Sequence, residues 1–317
     1  MATINSVLGP LDTADLGFTL AHEHVIVSSA GLQYVYPEFI DRAGTIQKAI
    51  VDLHQAYQEG LRTIIDVTTL DLGRDIRLME QVARESGVNI ICATGVWRDI
   101  PRAFWSATPD MIAPLFIREI QEGIEGTGIK AGIIKVANDR GGVTPEGEII
   151  LRAAARAQKA TGLCISTHTW APERVGEQQV RIFEHEGVDL NRVYIGHSND
   201  TTDTEYLLGL LHKGCWIGLD RYPGGRTPDT PDWEGRTETA KKLIDAGFAH
   251  RIMLSHDWSV TLSIVSQEMQ AARQQYNPDG YAFISRKVLP RLRDMGVSEA
   301  TLHQIMVENP QHFFAGH

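Results

Sequence analysis

Short apolar runs rich in β-branched residues alternate along the chain with longer segments whose apolar residues recur at helical spacing. The short runs are FTLAH (18–22), TIIDVT (63–68), NIICAT (89–94), AGIIKV (131–136), LCIST (163–167), VYIGH (193–197), CWIGL (215–219) and IMLSH (252–256). Each is too short for a helix and reads as a buried strand. TIQKAIVDLHQAYQEG (45–60), RDIRLMEQVARESG (74–87), PEGEIILRAAARAQKATG (145–162) and RTETAKKLIDAG (236–247) read as amphipathic helices that stop at a glycine. Successive strands start 22 to 45 residues apart. Eight such units predict an α/β protein, a (β/α)8 TIM barrel, with residues 1–317 as a single domain. The alternative is an open doubly wound sheet, which more often carries a Gly-rich loop after its first strand; none is present. The opening segment reads as a hairpin covering the barrel bottom, and helices at 281–295 and 299–307 as the end of the outer ring.

In a barrel the chemistry sits at the C-terminal ends of the strands. Strand one ends LAHEH, with His22 and His24 at alternate positions that share a face of a strand. Strand five ends STHT with His168, strand six IGHS with His197, and strand eight LSHD with His256 and Asp257. Four strand ends out of eight thus carry metal-ligand residue types, which converge in space if the barrel is right. An Asp in the place of Asp257 is also a common helix cap, but its company favours a catalytic role. His256 neighbours Asp257 and reads as packing or support, and the remaining histidines as solvated or core. Lys135 interrupts the apolar run of strand four. A buried lysine is costly unless paired or neutralised, so this amine either reaches the barrel mouth and a carboxylate or takes part in chemistry.

Of 317 residues 43% are hydrophobic and 22% charged, ordinary for a globular protein with a large core. The net charge of −10, with basic residues scattered, argues against nucleic acid as a partner. No run is apolar enough to span a membrane, and the N-terminus lacks the pattern of a signal peptide. Cys92, Cys164 and Cys215 each lie in or beside an apolar run and read as inert thiols in a reducing, cytoplasmic compartment.

HEH on strand one, the lysine of IIKVA, THT, IGHS and SHD, in this order and spacing, resemble the phosphotriesterase-like lactonases of the binuclear amidohydrolase superfamily. The likeness runs from LGPLDTADLGFTLAHEH to VENPQHFF. It implies two divalent metal ions, zinc first, with cobalt, manganese or iron as alternatives. His22, His24 and Asp257 match the ligands of the more buried ion, and His168 and His197 those of the more exposed one. Lys135 matches a lysine that carbon dioxide converts to a carbamate bridging both ions, with hydroxide as the second bridge. That bridge would attack a lactone carbonyl, and Asp257 would carry the proton to the leaving alkoxide.

The DRY motif (Asp220, Arg221, Tyr222) in the strand-seven loop resembles the lactonases more than the true phosphotriesterases. It implies substrate contacts for Arg221 and Tyr222, although Arg221 is equally read as a salt-bridge partner of Asp220 or a neighbour. In TGVWRD, Trp97 stands where many of these lactonases carry a tyrosine beside the substrate. The indole offers a single donor and more bulk, which points away from long-chain acyl-homoserine lactones. The expected partners are small lactones, esters or phosphotriesters, and the resemblance implies a homodimer. Two other functions remain: organophosphate triesterase or carboxylesterase as the principal activity, and, more remotely, a metal-stabilised binding protein without catalysis. The segment after strand eight, residues 258–283, reads as a long lid loop in which Tyr276, Tyr281 and Phe283 either line a pocket or pin the loop.

Overall fold

A computed structural model of the chain describes residues 2–39, 41–225, 227–262 and 266–316. It opens with an antiparallel hairpin, β1 (Thr3–Ser6) and β2 (Gly9–Asp12). The parallel strands follow: β3 (Thr19–Val27), β4 (Thr63–Asp66), β5 (Asn89–Gly95), β6 (Ile133–Ala137), β7 (Ile165–His168), β8 (Val193–Ile195), β9 (Trp216–Leu219) and β10 (Ile252–Leu254). From β4 on each pairs with its predecessor, and β11 (Ser259–Leu262) pairs with β3. The eighth staves are therefore two short strands in line, β10 on β9 and β11 on β3. The sheet closes on itself as a (β/α)8 barrel. All eight strands read from the apolar runs are present.

The seam between β10 and β11 is held by one buried carboxylate. Glu23 on β3 accepts from the backbone N–H groups of His256 and Trp258, both at 2.9 Å, and from the Ser255 hydroxyl at 2.7 Å. It also faces His256 Nδ1 at 2.7 Å, while His256 Nε2 accepts from Ile284 N at 3.0 Å. With both ring nitrogens engaged, His256 bolts the seam and points away from the barrel mouth. Backbone groups freed by the broken ladder are thereby satisfied inside the protein, which a buried kink requires.

Helix ends follow local chemistry. Asp41, Asp75 and Thr144 cap Arg42–Gln58, Ile76–Ser86 and Pro145–Thr161 by accepting from the third residue onward. Gly87 and Gly162 end the latter two in left-handed conformation. The helix expected at 236–247 runs over Trp233–Leu243 and starts earlier, because Asp232 caps it by accepting from Gly235 N. Three helices lay outside the clear periodicities: Pro109–Gln121, Val175–Glu186 and Thr204–His212. The segment after β10 is not one long loop. It forms β11 and the helix Gln267–Tyr276, with Ser263–Val265 outside the described residues. There Tyr281 and Phe283 are buried; the Tyr281 hydroxyl donates to His24 O at 2.7 Å and Phe283 packs edge-on against Trp233. These two side chains pin the segment.

Two apolar layers result. The larger lies between the strands and the helices. The smaller fills the lower barrel with Ile65, Ile91, Ile133, Trp216, Met253 and Phe313, and is capped by Ile4 of the hairpin. The hairpin does sit at this end, since Val7 N donates to Ile90 O and Asn5 Nδ2 to Ala131 O. No helix among the described residues is long and apolar enough to cross a membrane.

Candidate active site

Above the dry layer the barrel interior turns polar. His22, His24, Lys135, His168 and His197 are all buried and meet around Asp257. His24 Nε2 lies 3.2 Å and His22 Nε2 3.6 Å from Asp257 Oδ1, and His197 Nε2 lies 4.0 Å from Asp257 Oδ2. Lys135 Nζ is 3.1 Å from His22 Nε2, and His168 Nδ1 is 2.8 Å from His197 Nε2. His22, His24, Lys135, His168 and Asp257 floor a cavity of about 190 Å³ whose walls include Trp97 and Arg221. All six residues read as ligand types at strand ends are thus brought to one place.

The outer nitrogens of the four imidazoles explain the inner ones. His22 Nδ1 and His197 Nδ1 each lie 2.9 Å from one carboxylate, that of Asp220 on the end of β9. His24 Nδ1 lies 2.8 Å from the Thr68 hydroxyl, which can donate to Ile26 O at 3.3 Å. His168 Nε2 lies 3.3 Å from Asp139 Oδ2. The outer nitrogens of His24 and His197 are thus hydrogen-bonded to oxygen, and those of His22 and His168 lie beside carboxylates; a neutral ring protonated on that side turns a lone pair inward. The inward His168 Nδ1 and His197 Nε2 lie 2.8 Å apart. Such a set suits a bound cation.

Protonation follows burial. Burial pushes His168 down to about 4 against the pull of Asp139, and it pushes His197 well below the usual range with help from Arg221. His22 is lowered by burial and then by Lys135. Burial brings Lys135 down to about 7, and no carboxylate among the described residues forms an ion pair with it. Burial alone would raise Asp257, yet His197, His24, Arg221 and His22 hold it well below the carboxylate range. Neutral imidazoles, an amine that sheds its proton readily and an ionised carboxylate are the forms that coordinate divalent metals. Two three-residue groups have donor atoms within 4.8 Å of one another, His22/His24/Asp257 and His22/His197/Asp220.

Backbone strain marks the same spot. Among the four described non-glycine residues with positive φ are His197 at 59° and Asp257 at 54°. His197 lies two residues past the end of β8 and Asp257 three past the end of β10, where the chain turns over the barrel mouth.

The expected substrate contacts fall in different places. The Trp97 indole N–H points at His168 Nδ1 from 3.3 Å. Its loop is braced by Asp71, which accepts from Trp97 N at 2.9 Å and Asp99 N at 3.1 Å. Arg221 does not pair with Asp220, whose oxygens are taken by His22, His197 and the Tyr194 hydroxyl at 2.8 Å. Arg221 Nε instead donates to Asp257 Oδ2 at 3.2 Å and Nη1 to Asp200 Oδ2 at 2.7 Å. Tyr222 is buried and lines a second cavity beyond Arg221. Sequence reasoning missed Asp220 as the residue that orients two imidazoles, and missed Asp71, Asp139 and Asp200 altogether. A signal did exist for Asp220, an ionisable residue at the end of an apolar strand, as for the histidines.

The whole chain, residues 2–314, matches the model of the phosphotriesterase family. The chain belongs to that family. It is 39% identical to a phosphotriesterase homology protein of Mycobacterium tuberculosis H37Rv, with 99% of this chain and 98% of that protein covered. It is 38% identical to an aryldialkylphosphatase of Saccharolobus solfataricus, with 96% and 97% covered. An N-acetyltaurine hydrolase of Dictyostelium discoideum is 29% identical over 92% of this chain and 80% of that protein. Family membership and the donor groups together support a metal-dependent hydrolase.

Proposed function

We propose that this chain, as one barrel domain, is a binuclear metal-dependent hydrolase that opens lactones, with aryl esters and phosphotriesters as side substrates. The observation that carries the reading is the convergence of four buried histidines with Asp257 at one end of the barrel, beside the buried Lys135, which forms no ion pair with a carboxylate among the described residues. In this reading His22, His24 and Asp257 would hold one ion and His168 and His197 the other, and Lys135, as a carbamate, would supply a further anionic ligand. Two such ions would lower the pKa of water and polarise a carbonyl or phosphoryl oxygen. Zinc, cobalt, manganese and iron all suit the donor set.

The chain's own groups do the rest. Asp257 Oδ2, tethered by Arg221 Nε, is the oxygen that takes a proton from the nucleophilic water and hands it to the leaving alkoxide. Asp220 keeps the two imidazoles in one tautomer and orientation. The Trp97 indole N–H, the sole donor of that side chain, serves an oxygen at the mouth of the cavity. Arg221 stands where it would touch the acyl or leaving portion. The DRY motif favours lactones, and the relatives' names include phosphotriester and N-acyl substrates. The reading also takes the protein as a cytoplasmic homodimer.

A hydrolysis panel tests it: γ- and δ-lactones, acyl-homoserine lactones of several lengths, aryl esters and paraoxon, with metal content measured on the same sample. Small lactones should give the highest kcat/KM. Paraoxon or an aryl ester far ahead of every lactone would make the alternative activity the principal one.

A further inference from the structure

Asp220 supports two imidazoles of the cluster, and it is itself supported from below. Tyr194 on β8 belongs to the dry lower layer: it is buried, and its ring centroid lies 6.2 Å from that of Phe313. Its hydroxyl reaches up out of that layer and donates to Asp220 Oδ2 at 2.8 Å. The same oxygen lies 2.9 Å from His22 Nδ1. The other oxygen, Oδ1, accepts from His197 N at 2.7 Å and lies 2.9 Å from His197 Nδ1. Each carboxylate oxygen thus meets one fixed donor and one imidazole. The terminal torsion of an aspartate is broad rather than staggered, so a single donor leaves the carboxylate plane poorly defined. The backbone N–H of His197 and the phenol of Tyr194 together set it.

Two strand glycines make room for this arrangement. A Cβ at Gly218 would collide with the Tyr194 phenol and lie 2.6 Å from Asp220 Oδ2. A Cβ at Gly196 would collide with Thr167 O and lie 3.2 Å from Asp220 Oδ2 and 3.3 Å from His22 Nδ1. Neither glycine has a positive φ, so close approach and not backbone freedom accounts for both.

We propose that Tyr194 is a positioning residue of the metal centre: by fixing Asp220 Oδ2 it sets the orientation of the His22 and His197 rings. This rests on the metal-dependent hydrolase reading, in which the two rings serve different ions, so one phenol steadies ligands of both. For packing alone a phenylalanine would fill the same space; the hydroxyl adds the bond to Asp220.

The test is zinc affinity of the full-length protein, measured by competition with a chelator. Tyr194→Phe keeps the ring and should weaken zinc binding about tenfold, the lower end of the range for loss of an outer partner. Phe313→Leu disturbs the same packing without removing a donor, and should lower the melting temperature at unchanged zinc affinity. The visible spectrum of the cobalt-loaded protein, which follows ligand geometry, should shift in Tyr194→Phe and match wild type in Phe313→Leu. On an Asp220→Ala background no carboxylate remains to be held, and Tyr194→Phe should then change zinc affinity by less than about twofold. If Asp220→Ala does not fold, the affinities and spectra of the other two variants decide. Wild-type affinity and spectrum in Tyr194→Phe, an equal loss of affinity in Phe313→Leu, or an undiminished effect without Asp220 overturns the positioning role and leaves the hydrolase reading standing. A wild-type protein that binds neither metal overturns both.

Discussion

The two halves of the barrel interior share eight staves and little else. Below, Ile65, Ile91, Ile133, Trp216 and Met253 pack into a dry layer under Ile4 and Phe313. Above, the same strands end in His22, His24, Lys135, His168, His197, Asp220 and Asp257, most of them buried. β6 shows the change within three residues, from Ile133 in the dry layer to Lys135 under Asp257. The lower half is an apolar packed layer. The upper half breaks several rules of packing at once: buried ionisable groups, crowded imidazoles and two left-handed backbone conformations. Stability drawn from the lower layer tolerates the strain collected at the rim.

The sharpest way to separate the halves is Asp257→Asn. Turnover should fall about 10²–10⁴-fold, the range for loss of a general acid–base group, while the melting temperature stays near that of wild type. Unchanged kcat would remove Asp257 from the chemistry. Met253→Ala is the mirror image at the bottom. A buried methionine truncated to alanine should cost about 2–5 kcal/mol by denaturant titration, with activity per folded molecule retained. If that variant loses activity at full folding, the halves are coupled more tightly than the layered core implies.

Asp220→Asn probes the join. It leaves every inward nitrogen in place but loosens two imidazoles, and metal affinity measured by competition with a chelator should drop about 10- to 100-fold. No change would mean that packing alone orients the rings. Trp97→Phe should have the smallest effect, about two- to tenfold in kcat/KM, the worth of one neutral hydrogen bond. A larger loss would give the indole a share in holding the cluster.

The same division explains what was legible. Strands and their order could be read because each is a short apolar run bounded by polar segments. The six ligand-type residues could be read because each interrupts or ends such a run. The helices Pro109–Gln121, Val175–Glu186 and Thr204–His212 were harder, since propensity and periodicity there are ordinary and packing decides. The role of Asp220 was hidden by its neighbour. DRY suggested an adjacent Asp–Arg pair, yet consecutive residues at a strand end point to opposite sides. Asp220 therefore turns into the barrel and Arg221 toward Asp200 and Asp257. Asp71, Asp139 and Asp200 act across contacts between segments far apart in sequence, which no local pattern reveals.

The most direct measurement is the metal stoichiometry of the purified protein, by elemental analysis of wild type and Lys135→Ala after equilibration with zinc and removal of free ion. Two ions per chain are expected in wild type and fewer than two in Lys135→Ala. A wild-type protein that hydrolyses esters while holding no metal, or a Lys135→Ala variant that still retains two ions, would contradict the proposed centre.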